Sequence, residues 1–91
     1  MGAKREINWK RIDGEGERLQ IFARMERGSW TFYQRRRRFE NWEENPSPPL
    51  EDWLELLDGV RRRVPRRLLS PEVENRLLLD IRKCFPDSDV D

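Results

Sequence analysis

Ninety-one residues with no histidine, a single cysteine and 41% charged side chains leave room for a modest core and exclude the usual catalytic arrangements of imidazole and thiol. The net charge of +1 hides segregation: +6 over residues 1–38, −7 over 39–58, +5 over 59–67 and −3 over 68–91. Nine aromatic residues argue against a chain that is disordered throughout, because disordered chains are aromatic-poor.

Ile7 to Ile12 reads as a short first strand, with Gly14-Glu15-Gly16 as the turn after it. Leu19 to Met25 alternates: Leu19, Ile21, Ala23 and Met25 on one side, Gln20, Phe22 and Arg24 on the other. Arg27-Gly28 suits a two-residue hairpin turn, and Trp30 to Tyr33 returns. That turn predicts the pairs Met25–Trp30, Ala23–Phe32 and Phe22–Tyr33. Leu19, Ile21, Ala23, Met25, Trp30 and Phe32 then share the core face.

Four arginines follow, Arg35 to Arg38. In strand geometry Arg35 and Arg37 share the face of Phe22 and Tyr33, while Arg36 and Arg38 point to the core side. Burying them there is prohibitive, so the strand leaves the sheet near Gln34, bulges, or turns. The turn makes Phe39 to Trp42 a fourth short strand.

Asn45-Pro46-Ser47-Pro48-Pro49 ends the sheet region. Leu50 to Val64 has helical spacing, with Leu50, Trp53, Leu54, Leu57, Val60 and Val64 on one stripe. Its acidic start (Glu51, Asp52, Glu55) and basic end (Arg61, Arg62, Arg63) suit the helix dipole, and Pro65 stops it. A second helix begins with Ser70 as N-cap and Pro71 at the first position. Its stripe is Val73, Leu77, Ile81, Cys84 and Phe85, with Cys84 a small buried hydrophobe. Pro86 ends it.

These elements predict an α+β fold: a small antiparallel β-sheet of three or four strands, followed by a two-helix hairpin packed on one face. The domain divides into a β-meander over 5–43, a proline-rich linker over 44–49, a helical hairpin over 50–85 and a loose acidic tail over 86–91.

No cofactor and no metal site is expected. Gly14-x-Gly16 is a turn rather than a phosphate cradle, and Glu51, Asp52, Glu55 and Asp58 read as a solvated acidic face. No apolar run is long enough for a membrane span. Met1-Gly2 lacks the Ser or Thr that myristoylation requires, since Glu6 stands there. Asn45-Pro46-Ser47 fails as a glycosylation acceptor. With one cysteine and no signal-peptide pattern, the expected location is cytoplasmic, and the chain is expected not to be an enzyme.

Binding remains. The candidate surface is Phe22, Arg24, Tyr33, Arg35, Arg36, Arg37, Arg38 and Trp42. The first reading is a protein partner or a homodimer: opposed charge blocks invite a complementary surface, and a Trp among arginines resembles an interface hot spot. The alternative is a single-stranded RNA or DNA module, in which bases stack on the rings and guanidiniums hold phosphates. Arg61, Arg62, Arg63, Arg66 and Arg67 would extend its basic track. Pro46-x-x-Pro49 matches the minimal polyproline ligand pattern, although a linker and helix start explain it equally. A DNA-reading role for the second helix is opposed by Glu72 and Glu74 at its N-terminus.

Overall fold

The computed structural model describes residues 6–88. Four strands, β1 (Glu6–Ile12), β2 (Arg18–Glu26), β3 (Ser29–Arg35) and β4 (Glu43–Asn45), precede two helices, α1 (Leu50–Arg63) and α2 (Pro71–Cys84). The sheet is antiparallel throughout, in the order β1-β2-β3-β4. This is the α+β class that the sequence implies. The chain divides into two compact units between Pro48 and Pro49.

In the sheet unit, Asp13 shapes the first turn. Its Oδ1 accepts the N–H groups of Glu15 and Glu17 at 2.8 and 2.9 Å, and Gly16 takes a positive φ of 83°. The second turn is tighter. Arg27 and Gly28 lie at φ 53° and 82° between the paired residues Glu26 and Ser29. Two successive left-handed residues match the right-handed twist of the flanking strands. The register that results pairs Met25 with Trp30, Ala23 with Phe32 and Phe22 with Tyr33, as the alternation predicts. Leu19, Ile21, Ala23, Trp30 and Phe32 are buried on one face, and Ile7 of β1 joins them. Met25 is only half-buried. On the same face, Trp9 meets Phe32 edge-on, with ring centroids 6.1 Å apart.

The fourth strand is Glu43–Asn45 rather than Phe39–Trp42. β3 stops at Arg35, and a turn closed by the Glu40 N–H on the Arg37 carbonyl (3.0 Å) reverses the chain. β4 therefore enters what the sequence suggests is linker. Asn45 Nδ2 donates to Gln34 Oε1 at 3.2 Å. Pro46 is exposed, Pro48 is buried, and Pro49 is the N-cap of α1.

In the helical unit, both helices appear with the expected charge polarity, but α1 is rotated from the expected stripe. Asp52, Trp53, Leu56, Leu57, Gly59 and Val60 are buried and Leu54 is exposed. Leu56 lies two positions on from Leu54, about 200° around the helix, so exchanging one for the other shifts the buried arc. Asp52 is thus no part of a solvated acidic face. No buried side-chain nitrogen or oxygen among the described residues lacks a hydrogen-bond partner, as a buried carboxylate requires.

Val64 is the C-cap of α1, and Arg61 Nε pairs with Glu74 Oε2 of α2 at 2.9 Å. Ser70 precedes α2 in extended conformation but makes no side-chain cap. Leu77 and Ile81 are buried; Val73 and Phe85 are half-buried, and Cys84 is exposed. The burial of α2 ends one turn before the helix does, which overturns the expectation of a buried thiol. Of the expected loose tail, Pro86 to Ser88 form a turn in which the Ser88 N–H and Oγ both meet the Phe85 carbonyl; residues 89–91 lie outside the described residues.

The rotated stripe has a direct test. Leu56→Ala should destabilise the protein by about 2–5 kcal/mol, whereas Leu54→Ala should stay within about 0.5 kcal/mol of the parent. Thermal melts of the two variants check this, and the reverse order would return the stripe to Leu54.

Candidate functional site

The register places Phe22 opposite Tyr33 on the sheet face away from Leu19, Ile21 and Ala23. There the two rings stack, 4.7 Å between centroids with 16° between planes. Trp42, delivered by the 36–42 loop, closes on Phe22 edge-on at 4.7 Å and 86°. Phe22 is left 8% exposed. A phenylalanine on the outer face of a small sheet is buried by its own neighbours, and such ring pairs add about 0.5–1.5 kcal/mol beyond area burial.

Two arginines complete the cluster. The guanidinium of Arg24 lies 5.1 Å from the Phe22 centroid and 5.8 Å from that of Tyr33, and it is held between Glu6 at 3.0 Å and Glu26 at 3.7 Å. Arg35 lies over Trp42 at 4.2 Å and donates to Gln20 Oε1 at 2.7 Å. Cation–π contacts of this kind contribute about 0.5–1 kcal/mol at exposed sites. The Tyr33 hydroxyl donates to Glu26 Oε2 at 3.0 Å. That hydrogen bond to a carboxylate, then partial burial, pushes the phenol pKa above its ordinary 10.0.

Of the eight candidate residues, the structure brings together Phe22, Arg24, Tyr33, Arg35 and Trp42. Arg36 turns to the β1–β2 turn, with Nε 2.9 Å from Glu17 and Nη2 3.6 Å from Asp13, while its backbone N–H donates to Glu40 Oε1 at 3.2 Å. The Glu17 N–H, then that of Glu15, and the Arg36 charge hold the Asp13 carboxyl below its ordinary range, against an opposing effect of burial. Arg37 and Arg38 lie beyond the end of β3, so neither occupies a sheet face. Both are exposed, and among the described residues neither has an ion-pair partner.

Beside the cluster, a concavity of about 350 Å³ opens on the outer face, lined by Glu6, Asn8, Lys10, Gln20, Arg24 and Trp42 among others. Sequence reasoning left β1 out of the site, yet β1 supplies one wall of this concavity. Its signal was the alternation of Glu6, Asn8 and Lys10 against Ile7 and Trp9. Among the described residues no group of three or more His, Cys, Asp or Glu could hold a metal ion, and no helix is long and apolar enough to cross a membrane. Comparison of the chain with protein-family models, with curated proteins and with solved structures returns no match.

Tyr33 is the only tyrosine in the chain, so its absorbance titration is unambiguous. A folded pKa raised above the unfolded value contributes stability that is complete below pH ~10 and is lost as pH rises through the folded pKa. The midpoint should lie above 10 in the folded protein, return to about 10 in denaturant, and fall in Glu26→Gln. An ordinary midpoint in the folded state would mean that the hydroxyl does not engage Glu26.

Proposed function

We propose that this chain is a non-catalytic protein-interaction domain that accepts an added strand at β1, and that a second copy of itself is the partner best matched to that edge. The observation that carries the reading is β1: seven residues long, at the edge of the sheet, with no other backbone hydrogen-bonded along its outer side among the described residues. Such an edge is a template for another strand, giving affinity through the main chain and specificity through side-chain pockets. The opposite edge, β4, has three residues, two of them glutamates.

The sequence of β1 complements itself. An antiparallel pair centred on Asn8 would set Glu6 against Lys10 twice, and Ile7 against Trp9 twice. The first pairing falls on the outer face and the second on the buried one. Lys10 is exposed, and opposite charges facing each other across strands contribute about 0.2–1 kcal/mol. A two-fold axis of this kind uses the same patch on both copies. The absence of histidine leaves no imidazole for acid–base work.

The single-stranded nucleic-acid reading draws less support. Phe22 has little open ring face, and Arg24 and Arg36 are paired with carboxylates.

Light scattering behind a sizing column tests the proposal. The expected mass is twice the chain's 11.1 kDa. Lys10→Glu, which sets carboxylates opposite each other, should return a folded monomer by circular dichroism. A parent that stays monomeric at high concentration overturns self-association, and a Lys10→Glu variant that still dimerises moves the interface away from β1.

A further inference from the structure

The concavity on the outer face is walled entirely by the sheet unit, and its polar groups are unevenly satisfied. The Arg24 charge is answered twice, by Glu6 and by Glu26. Lys10 is exposed and has no ion-pair partner among the described residues. It is therefore the unmatched charge of the lining.

Two amides stand beside it. Gln20 is the cross-strand partner of Lys10, and Asn8 lies two residues earlier on the same face of β1. Gln20 Oε1 accepts from Arg35 Nε at 2.7 Å. A guanidinium only donates, so this contact fixes which end of the amide is oxygen and leaves the Gln20 NH2 group to donate elsewhere. The Asn8 side chain has no partner among the described residues. Trp42 supplies the open apolar wall: it is 37% exposed, whereas Phe22 and Ile21 in the same lining are buried.

We infer that this concavity binds a small flat monoanion, an aromatic carboxylate in chemical class. Its carboxylate accepts from the Lys10 ammonium and the Gln20 amide, and its ring lies against Trp42. One unmatched cation sets the charge of the ligand, and hydrogen bonds from a charged donor are the strong ones. A dianionic phosphate ester would leave one charge unanswered. A cation would meet Lys10, while Glu6 Oε2 already accepts two N–H groups of Arg24. An uncharged apolar ligand would strip water from Lys10 and both amides without replacing it. The volume of about 350 Å³ is at the small end for ligand sites, which suits a single substituted ring. The inference does not rest on strand addition at β1. Lys10 is common to both, since in the β1 pair it faces the second copy's Glu6, and a bound anion competes for that place.

The test is a titration of the isotope-labelled full chain with benzoate, followed by NMR amide shifts. Benzamide and acetate serve as probes that lack the charge and the ring. Benzoate is expected to shift the Asn8 and Gln20 side-chain amides, Lys10 and the Trp42 indole N–H together. A Kd on the order of 1 mM is expected for so few ligand atoms. Benzamide and acetate should each bind more weakly. Lys10→Met, which keeps the aliphatic stem, should weaken benzoate about tenfold, and Lys10→Arg should restore most of the binding. Trp42→Ala, which changes no residue of β1, should weaken it roughly fivefold, and circular dichroism checks that each variant folds. No shift at these groups overturns the inference. Acetate or benzamide binding as tightly as benzoate overturns it too, because the ring or the charge then plays no part. A monomeric parent that binds benzoate removes self-association alone, whereas a dimer that ignores benzoate removes this inference alone.

Discussion

Arg27 and Gly28 occupy left-handed backbone in succession, and this reversal fixes which residue of β2 faces which residue of β3. Side chains alternate with a period of two, so a slip of one residue would turn every apolar side chain of one strand to the wrong face. With the register held, Leu19, Ile21 and Ala23 meet Trp30 and Phe32 on one side, and Phe22 meets Tyr33 on the other. Glycine takes its angle freely, whereas arginine at φ 53° carries a conformational cost. The hairpin absorbs that cost because seven residue pairs depend on the turn.

The outer face follows from the same register. Phe22 and Tyr33 are opposite each other, so they stack. Arg24, next along β2, then lies over both rings and between Glu6 and Glu26. Trp42 and Arg35 cover the remaining side. The cluster that looks in sequence like an open aromatic surface is thereby used up within the sheet unit. What the sheet unit leaves unpaired among the described residues lies elsewhere: the backbone edge of β1, and Arg37 and Arg38 after β3 has ended. The proposed strand addition accordingly uses the β1 edge rather than the ring face.

Much of this was legible in the residues. The alternation of β2 and the Arg-Gly turn determined the pairing, and proline and the charge gradients marked the helix ends. The arginine run was harder. That it leaves the sheet follows from the cost of burying guanidiniums. Where it goes depends on Arg36 reaching Asp13 and Glu17, about twenty residues earlier, and local pattern does not show such pairs. Leu54 and Leu56 on α1 are chemically the same, and only tertiary packing selects between them. Asp52 runs against composition, since a carboxylate is buried only where partners await it. The contacts of Trp42 are hidden for a related reason, because they come from a loop whose path the turn at Arg37–Glu40 decides.

Whether the outer face is closed depends on the ring cluster, and one NMR measurement reports on it. Nuclear Overhauser contacts between the Trp42 indole protons and the Phe22 ring should be strong, with the Phe22 ring protons displaced by the neighbouring ring currents. Their absence, with Trp42 at the shifts of a free indole, would mean that the outer face is open after all. The arginine–aromatic surface would then return as the binding site.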